Sequence, residues 1–188
     1  TKPSDIVRSE LGIKDDAIVL IQVALLLEHK GQMRLLEAIK LMREQLPAFY
    51  EKVVLVLIGS GEQEQLLRTF VKENNLNDKV FILGYRNDYI DYVNMADVMV
   101  HPTRANEDMP LIILTAMSLG KPVVSCDFAG IPEEIEHLKT GILINPNSES
   151  FTEDLLEAIV IAYQNKESLG ILAKDKFSAE FSESVYVN

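Results

Sequence analysis

Charged side chains gather in two short stretches of this sequence, each next to a predicted helix start. In the first, "EHKG", Lys30 directly precedes a glycine. In the second, "TRANEDMP", Arg104, Glu107 and Asp108 precede a proline. A lysine beside a helix N-terminus opposes the helix dipole, whereas acids there complement it. Taken alone, each stretch favours ordinary helix-start charges in solvent, although an anion bound beside Lys30 would turn its repulsion into attraction.

Two glycine-containing stretches could let a ligand approach the backbone. In "ILGYRND", Gly84 permits a sharp exit from a strand, and Tyr85 and Arg86 could offer a flat surface to a nucleobase. Alone, this stretch favours a turn with a surface aromatic residue. In "GSGEQ", Glu64 stands where the dinucleotide-binding fingerprint needs glycine, and no G-K-[ST] sequence follows. This second stretch therefore predicts a tight strand–helix turn first and a ligand loop second.

Residue counts and spacings exclude several kinds of catalytic and metal site. The three histidines, His29, His101 and His137, lack metal-ligand spacing, and we interpret each as structural or solvated. Cys126 is the only cysteine, which rules out an intrachain disulfide and favours a reducing, cytosolic setting. No G-x-S-x-G elbow and no Ser-His-Asp arrangement is visible. We therefore predict neither a metal site nor a nucleophilic triad.

The composition is that of an ordinary folded domain with an acidic surface. Of 188 residues, 47% are hydrophobic and 25% are charged, and the formal net charge is −11. Charge repulsion argues against a nucleic-acid partner and against contact of this part of the protein with an anionic membrane. No apolar run approaches the ~20 residues of a membrane span. Because the sequence starts with Thr-Lys-Pro rather than methionine, we expect a piece cut from a longer polypeptide.

Apolar runs of strand length alternate with amphipathic runs of helix length. The predicted strands are Ala17–Val23, Lys52–Ile58, Val80–Leu83, Asp97–His101, Pro122–Ser125 and Gly141–Ile144. The predicted helices are Gln32–Leu46, Glu62–Asn74, Asp88–Met95, Pro110–Leu119, Pro132–His137 and Ser150–Tyr163. Strands that are apolar at nearly every position, such as "VVLVLI", are typical of a parallel sheet buried on both faces. We predict one α/β domain over residues 1–188, a Rossmann-like open parallel sheet of about six strands with helices on both faces.

Seven motifs follow one another across roughly residues 10–150. They are "EHKG", "IGSGE", "FILGYRND", "ADVMVHPT", "EDMPLIILTAM", "GKPVVSCDFAGIPE" and "TGILI". In this order they resemble the C-terminal, nucleotide-sugar-binding domain of the GT-B glycosyltransferases of family 4. The resemblance implies one half of a GT-B fold, excised from a two-domain enzyme whose N-terminal half binds the acceptor. A flavodoxin-like or receiver-type regulatory domain would also alternate strands and helices, but it would leave this order of motifs unexplained.

The resemblance also implies roles for particular residues. Lys30 corresponds to the lysine that binds the diphosphate and Glu107 to the glutamate that contacts the donor sugar, so these two are the predicted catalytic residues. The residues implied to line the rest of the nucleotide-sugar site are Gly84, Tyr85, Arg86, Asp108, Met109, Leu111 and Thr115. The implied donor substrate is a UDP-, GDP- or ADP-sugar, transferred with retention of configuration and without a metal or other cofactor.

Two positions depart from the family pattern. Leu25 stands where the family has an arginine, and Thr115 stands where it has the glutamate that holds the ribose. Losing one charge-assisted hydrogen bond costs on the order of 1.5–3 kcal/mol. The departures leave two hypotheses: the donor-binding half of a transferase that builds surface polysaccharide or glycolipid, or a non-catalytic nucleotide-sugar-binding or scaffolding domain with a degenerate site. For the first we expect a cytoplasmic enzyme, peripheral to the inner face of the membrane through its other half, and no turnover by the isolated domain.

Overall fold

Six short apolar strands form one sheet in the computed structural model, which describes residues 1–105 and 107–182. The strands are β1 (Ile18–Val23), β2 (Val53–Ile58), β3 (Val80–Ile82), β4 (Val98–His101), β5 (Val123–Cys126) and β6 (Gly141–Ile144). Their order is β3-β2-β1-β4-β5-β6, and every neighbouring pair is parallel. This is the strand order of a doubly wound Rossmann-like fold. The predicted α/β fold class is confirmed, and each strand lies within one residue of its predicted bounds.

Helices connect and cover these strands. They are α1 (Ser4–Glu10), α2 (Gln32–Gln45), α3 (Pro47–Tyr50), α4 (Glu64–Glu73), α5 (Tyr89–Met95), α6 (Leu111–Ser118), α7 (Ile131–Glu134), α8 (Phe151–Gln164) and α9 (Lys166–Lys176). A 3-10 turn at Glu28–Lys30 precedes α2, and a π-helical turn at Phe177–Phe181 follows α9. The sequence pattern did not predict α1, α3 or α9. Gly170 lowers the helical propensity of α9. It also packs closely on another part of the chain, because a Cβ on Gly170 would lie 2.1 Å from the Gly120 carbonyl oxygen.

The hydrophobic core lies on both faces of the sheet. Successive side chains of a strand point to opposite faces, and in β1 Leu20 packs into one core cluster while Ile21 packs into the other. Helices α2, α3, α4 and α8 cover the first face, and α1, α5, α6 and α7 cover the second. This two-sided burial explains why the strands are apolar at nearly every position.

The loops after β1 and β4 lie side by side at the carboxyl edge of the sheet. These two strands are neighbours, yet α2 leaves β1 toward one face and α6 leaves β4 toward the other. The diverging chains open a crevice between residues 24–31 on one side and residues 102–105 and 107–110 on the other. In open α/β sheets, this topological switch point is where ligands bind. The fold therefore brings the two charged stretches of the sequence to a single place.

Candidate functional site

Hydrogen bonds and one glycine hold Lys30 beside the loop that follows β4. The Lys30 carbonyl accepts a 2.8 Å hydrogen bond from the buried Gln22 side chain. The next residue, Gly31, has a positive φ of 78°, and a Cβ there would lie 2.4 Å from the Pro102 carbonyl oxygen. The Arg104 amide closes the junction by donating to the carbonyl of the residue before Lys30 at 2.9 Å. Glycine is therefore required here by both its backbone angle and the close approach.

Glu107 meets two cationic or hydrogen-bonding side chains across this junction. Its Oε1 atom accepts from the Lys30 ammonium and lies 3.3 Å from Nε2 of His101. The three side chains are nearly enclosed, with exposed fractions of 12% for Lys30, 11% for Glu107 and 2% for His101. The other oxygen, Oε2, makes no hydrogen bond with any residue that the structure describes. One carboxylate oxygen is anchored, and the second is left to accept from a ligand.

Opposing effects act on the ionisation of Glu107. Burial acts to raise the pKa of its carboxyl, but hydrogen bonds from His101 and Lys30 outweigh burial and lower it to about 2. The group is therefore a carboxylate at neutral pH, able to accept hydrogen bonds and unable to donate one. This arrangement suits recognition of a hydroxyl and does not suit general-acid catalysis.

The acids before α6 do not serve as ordinary helix caps. The helix begins at Leu111 without a side-chain cap, since its N-cap residue Pro110 has no side-chain acceptor, and the Glu107 carboxylate contacts Lys30 and His101. The helix-start interpretation is therefore wrong for Glu107. The neighbouring Asp108, Met109 and Leu111 are exposed along the rim of the crevice.

The residues after β3 lie farther along the same edge and divide into two groups. Gly84 has a positive φ of 70°, and its carbonyl accepts from the Gly59 amide at 2.9 Å. Tyr85 is 73% exposed and presents a free aromatic face. Arg86, in contrast, pairs with both oxygens of Asp88 at 2.9 and 2.8 Å, so its guanidinium is already engaged. Tyr85 thus fits the predicted nucleobase surface better than Arg86 does.

The glycines of "GSGEQ" accommodate the protein's own backbone. A Cβ on Gly59 would lie 1.8 Å from the Ala24 carbonyl oxygen, and a Cβ on Gly61 would lie 2.4 Å from the Leu26 carbonyl oxygen. The Leu26 amide also donates to the carbonyl of the intervening serine at 3.0 Å. These glycines let the loop after β2 brace the loop after β1, in agreement with the predicted tight turn.

The two departures from the family pattern both lie near the crevice. Leu25 follows β1 and is 59% exposed, although it is apolar. Thr115 lies on the second turn of α6, where its hydroxyl donates to the Leu111 carbonyl at 2.9 Å. Its hydrogen is therefore committed to its own helix, and only its oxygen lone pairs remain for a ligand.

Two polar residues of the site were missed or misjudged from the sequence. His101 was interpreted as structural or solvated, yet it contacts Glu107; its position at the carboxyl end of a central strand is the signal that could have singled it out. Glu134 is fully buried, and neither carboxyl oxygen has a partner among the described residues. Burial, followed by the charges of Glu107 and Glu133, raises the pKa of Glu134 to about 8. No sequence signal separates this buried acid from the exposed Glu133 beside it.

A cleft of about 670 Å³ lies against the loops after β1 and β4, and neither Lys30 nor Glu107 is among the residues that line it. It is lined by Leu27, Glu28, His29, Glu62, Arg104, Ala105 and Asn147. This volume is in the range of small-molecule and cofactor sites. Within residues 1–105 and 107–182, no group of three or more histidine, cysteine, aspartate or glutamate side chains could hold a metal ion. In the same ranges, no helix combines the length and apolarity that crossing a membrane requires.

Comparison with known proteins agrees with this architecture. The amylovoran biosynthesis glycosyltransferase AmsK of Erwinia amylovora is 30% identical over 177 residues, which cover 88% of this chain and 42% of that protein. The putative colanic acid biosynthesis glycosyltransferase WcaL of Escherichia coli is 36% identical over 135 residues, 68% of this chain and 32% of that protein. The chain thus spans less than half the length of these relatives.

Solved structures of glycosyltransferases share the fold. Anabaena Alr3699/HepE in complex with UDP-glucose superposes with a TM-score of 0.84 at 28% identity, covering 98% of this chain and 50% of that chain. WaaG, involved in lipopolysaccharide biosynthesis, superposes with a TM-score of 0.82 at 21% identity, covering 96% and 48%. The sequence profile described as "Glycosyl transferases group 1" matches residues 3–173. This chain therefore belongs to the group 1 glycosyltransferases and has the Rossmann-like architecture of one half of a GT-B fold.

Proposed function

We propose that the crevice between β1 and β4 binds a nucleotide-diphosphate sugar, and that this chain is the donor-binding half of a retaining glycosyltransferase. The observation that carries the proposal is the meeting of Lys30 and Glu107 at the topological switch point of the sheet. A cation and an ionised carboxylate side by side match the two parts of such a donor. The diphosphate needs positive charge, and the sugar offers hydroxyl groups that donate hydrogen bonds.

Each part of the donor has a partner along the carboxyl edge. Lys30 binds the diphosphate, helped by main-chain amides around Met109 and Leu111, since the first amides of a helix lack intrahelical partners. Glu107 accepts from a sugar hydroxyl, and Asp108 borders it on the rim. The main chain at Gly84–Arg86 and the exposed ring of Tyr85 receive the nucleobase, and Thr115 faces the ribose.

The same groups support transfer in the whole protein. As the bond between the anomeric carbon and the diphosphate breaks, negative charge grows on the leaving phosphate oxygen, where Lys30 and the amides stabilise it. The acceptor hydroxyl, brought by the other half of the protein, forms the new bond through its oxygen on the face that the diphosphate leaves, and its proton passes to the leaving phosphate oxygen. We propose a hexosyl transfer that needs no metal, with positive protein groups neutralising the diphosphate.

The relatives suggest where this reaction operates. AmsK and WcaL are named for the biosynthesis of amylovoran and colanic acid, and the similar HepE structure contains UDP-glucose. We infer a role in surface polysaccharide or glycolipid synthesis in the cytoplasm, with the other half of the protein at the inner face of the membrane. A UDP-sugar is the first donor to test, with GDP- and ADP-sugars as alternatives.

Titration calorimetry of the 188-residue chain with UDP-glucose, GDP-mannose and ADP-glucose tests donor binding. We expect one donor to bind in the high-micromolar to millimolar range, at about −4 to −6 kcal/mol. Lys30→Ala and Glu107→Ala should each weaken it about tenfold or more. Lys139→Ala, which removes a 71% exposed lysine, is the matched control and should leave the affinity unchanged. Absence of heat with all three donors, in the full-length protein as well, would refute the proposal.

A second candidate function is a non-catalytic nucleotide-sugar-binding or scaffolding domain. The observation in its favour is the pair of departures, an exposed leucine at position 25 and a threonine at position 115 whose hydroxyl is committed to its own helix. The two functions separate in the full-length protein. Slow hydrolysis or transfer of a bound nucleotide sugar, lost in Glu107→Ala, supports the transferase. Tight binding without any release of nucleotide, over a panel of sugar acceptors, supports the scaffold.

A further inference from the structure

His101 holds an unusually constrained place at the end of β4. Its carbonyl accepts from the Ser125 hydroxyl at 2.7 Å and from the Thr103 amide at 2.9 Å, which fixes the backbone between β5 and the following loop. Its side chain is 2% exposed. The imidazole is therefore presented to the crevice from a strand end, while Lys30 comes from a 3-10 turn and Glu107 from a loop.

The two ring nitrogens of His101 differ in their hydrogen bonding. Glu107 is ionised and can only accept, so Nε2 of His101 must carry the proton that it shares with Oε1. Nδ1 is buried and has no hydrogen-bond partner among the described residues. A buried histidine kept for stability alone would be expected to satisfy both nitrogens. Here the polar contact of the ring is to the carboxylate of the candidate site.

Lys30 and His101 share the same oxygen of Glu107, and a diphosphate would change that sharing. A nucleoside diphosphate carries more negative charge than one carboxylate, so it draws the Lys30 ammonium, which rides on a flexible four-carbon stem. Glu107 then loses one of its two anchors as the donor binds. His101 cannot follow the diphosphate, because its ring is enclosed and its backbone is held on both sides.

We propose that His101 is a positioning residue, which keeps Oε1 of Glu107 in place when Lys30 turns to the diphosphate, so that Oε2 can accept from a hydroxyl of the donor sugar. The inference rests on the proposed function. The two residues then contribute to binding different parts of the donor. Lys30 binds the diphosphate, whereas His101, acting through Glu107, supports binding of the sugar. Loss of His101 should therefore reduce the affinity that the sugar adds and spare the affinity for the nucleoside diphosphate alone.

Paired titrations of the 188-residue chain with UDP-glucose and with UDP measure separately the affinity for the whole donor and the affinity for the nucleoside diphosphate alone. We expect His101→Phe, which fills the space without a donor, to bind UDP-glucose about tenfold more weakly and UDP within about twofold of the native chain. His101→Gln should recover most of the loss, because its side-chain amide can donate to Oε1. Adding His101→Phe to Glu107→Gln should cause no further loss, since one acts through the other.

The outcomes separate this inference from the proposed function. If neither the native chain nor the full-length protein binds UDP-glucose, GDP-mannose or ADP-glucose, the proposed function fails, and the inference falls with it. If the full-length protein alone binds, the paired titrations are made with the full-length protein and its His101 variants. If the native chain binds but His101→Phe weakens both ligands of the pair equally, or neither, the inference alone is overturned. Failure of His101→Gln to restore binding also overturns it. Thermal unfolding checks each variant, and His101→Leu replaces His101→Phe if the phenyl side chain prevents folding.

Discussion

Strands β1 and β4 carry a charged cluster at each end, and the two clusters are built differently. At the amino edge, Asp97 uses both oxygens: Oδ1 accepts from Lys166 at 2.5 Å, and Oδ2 accepts from Arg8 at 3.0 Å and from the Val19 amide at 2.8 Å. At the carboxyl edge, Glu107 uses one oxygen for two partners.

The surroundings of the two clusters differ in the same way. Arg8 also donates to the carbonyls of Met95 and Ala17 at 2.9 and 3.0 Å, so the amino-edge network satisfies its own polar groups. Near Glu107, Oε1 of Gln22 and Nδ1 of His101 are buried without partners in the part of the chain that the structure describes. A complete hydrogen-bond network stabilises the fold. Buried polar groups without protein partners, by contrast, indicate a place where a ligand can supply the missing hydrogen bonds.

The largest effect should come from breaking the complete network. Asp97→Ala leaves Arg8 and Lys166 beside the Val19 amide with no anion, and we expect it to lower the free energy of unfolding by about 3–5 kcal/mol. Urea unfolding measures this, with Asp175→Ala on the exposed side of α9 as the control. Donor affinity of the folded variant should stay unchanged. A loss under about 1 kcal/mol would remove the contrast between the two edges.

Replacing Glu134, near the crevice, should raise the free energy of unfolding, whereas replacing Asp97 should lower it. The pKa of Glu134, raised to about 8 chiefly by burial, means that the folded state holds a proton that the unfolded state releases above its ordinary pKa. Stability is therefore lost as pH rises from about 4.5 to about 8. Glu134→Met should stabilise the fold by roughly 2–4 kcal/mol at pH 8 and by much less at pH 5. The exposed Glu133→Gln, compared by urea unfolding at both pH values, should show no such dependence.

Glu107 should show the reverse dependence on pH. Its pKa is lowered to about 2, so its ionised form stabilises the fold above the unfolded pKa and that contribution is lost as pH falls from about 4.5 toward 2. We expect Glu107→Gln to cost about 1–3 kcal/mol at pH 7, less than Asp97→Ala, and less than half as much near pH 3. Urea unfolding at the two pH values checks the sign. A cost that does not change with pH would show that the native carboxylate gains nothing from Lys30 and His101.

Thr115→Glu should strengthen ligand binding at the carboxyl edge of the sheet. A carboxylate on this turn of α6 could accept from both hydroxyls of a ribose, the role that the resemblance implies for a glutamate at this position, without the competing bond to Leu111. We expect about tenfold tighter binding of the donor in calorimetry. Thr69→Glu, a threonine with the same bond to its own helix on α4, is the control. Weaker binding would mean that the threonine oxygen already has a role at the site.

The smallest effect concerns backbone strain beside the crevice. Ala129 has a positive φ of 50°, and its neighbour Gly130 packs so that a Cβ would lie 2.3 Å from the Asp108 carbonyl oxygen. Ala129→Gly relieves the left-handed strain and should stabilise the fold by about 0.5–1 kcal/mol, since the entropy lost by glycine offsets part of the gain. Thermal unfolding measures it. A destabilised Ala129→Gly would mean that the entropic loss dominates.

Much of the fold was predictable because it depends on local pattern. Continuous apolar runs placed all six strands within one residue, and the order of motifs predicted the family, which the profile match confirmed. Helix α9 escaped prediction because Gly170 lowers its helical propensity, and the close approach of Gly170 to Gly120 is a tertiary contact that local pattern does not show. The roles implied for the site residues all stay predictions: those of Lys30, Gly84, Tyr85, Arg86, Glu107, Asp108, Met109, Leu111 and Thr115.

By itself, the sequence determined the parallel α/β architecture and the presence of charged loops after β1 and β4, since burial on both faces demands apolar strands and leaves polar residues to the loops. Tertiary structure alone decided that Lys30, His101 and Glu107 meet on one oxygen atom, and that Glu134 is buried while Glu133 is exposed. The reason is the sequence separation of the residues involved, since strand and helix patterns repeat over only a few residues. The Lys30–Glu107 contact, by contrast, joins positions 77 residues apart and exists only because β1 and β4 are neighbours in the sheet.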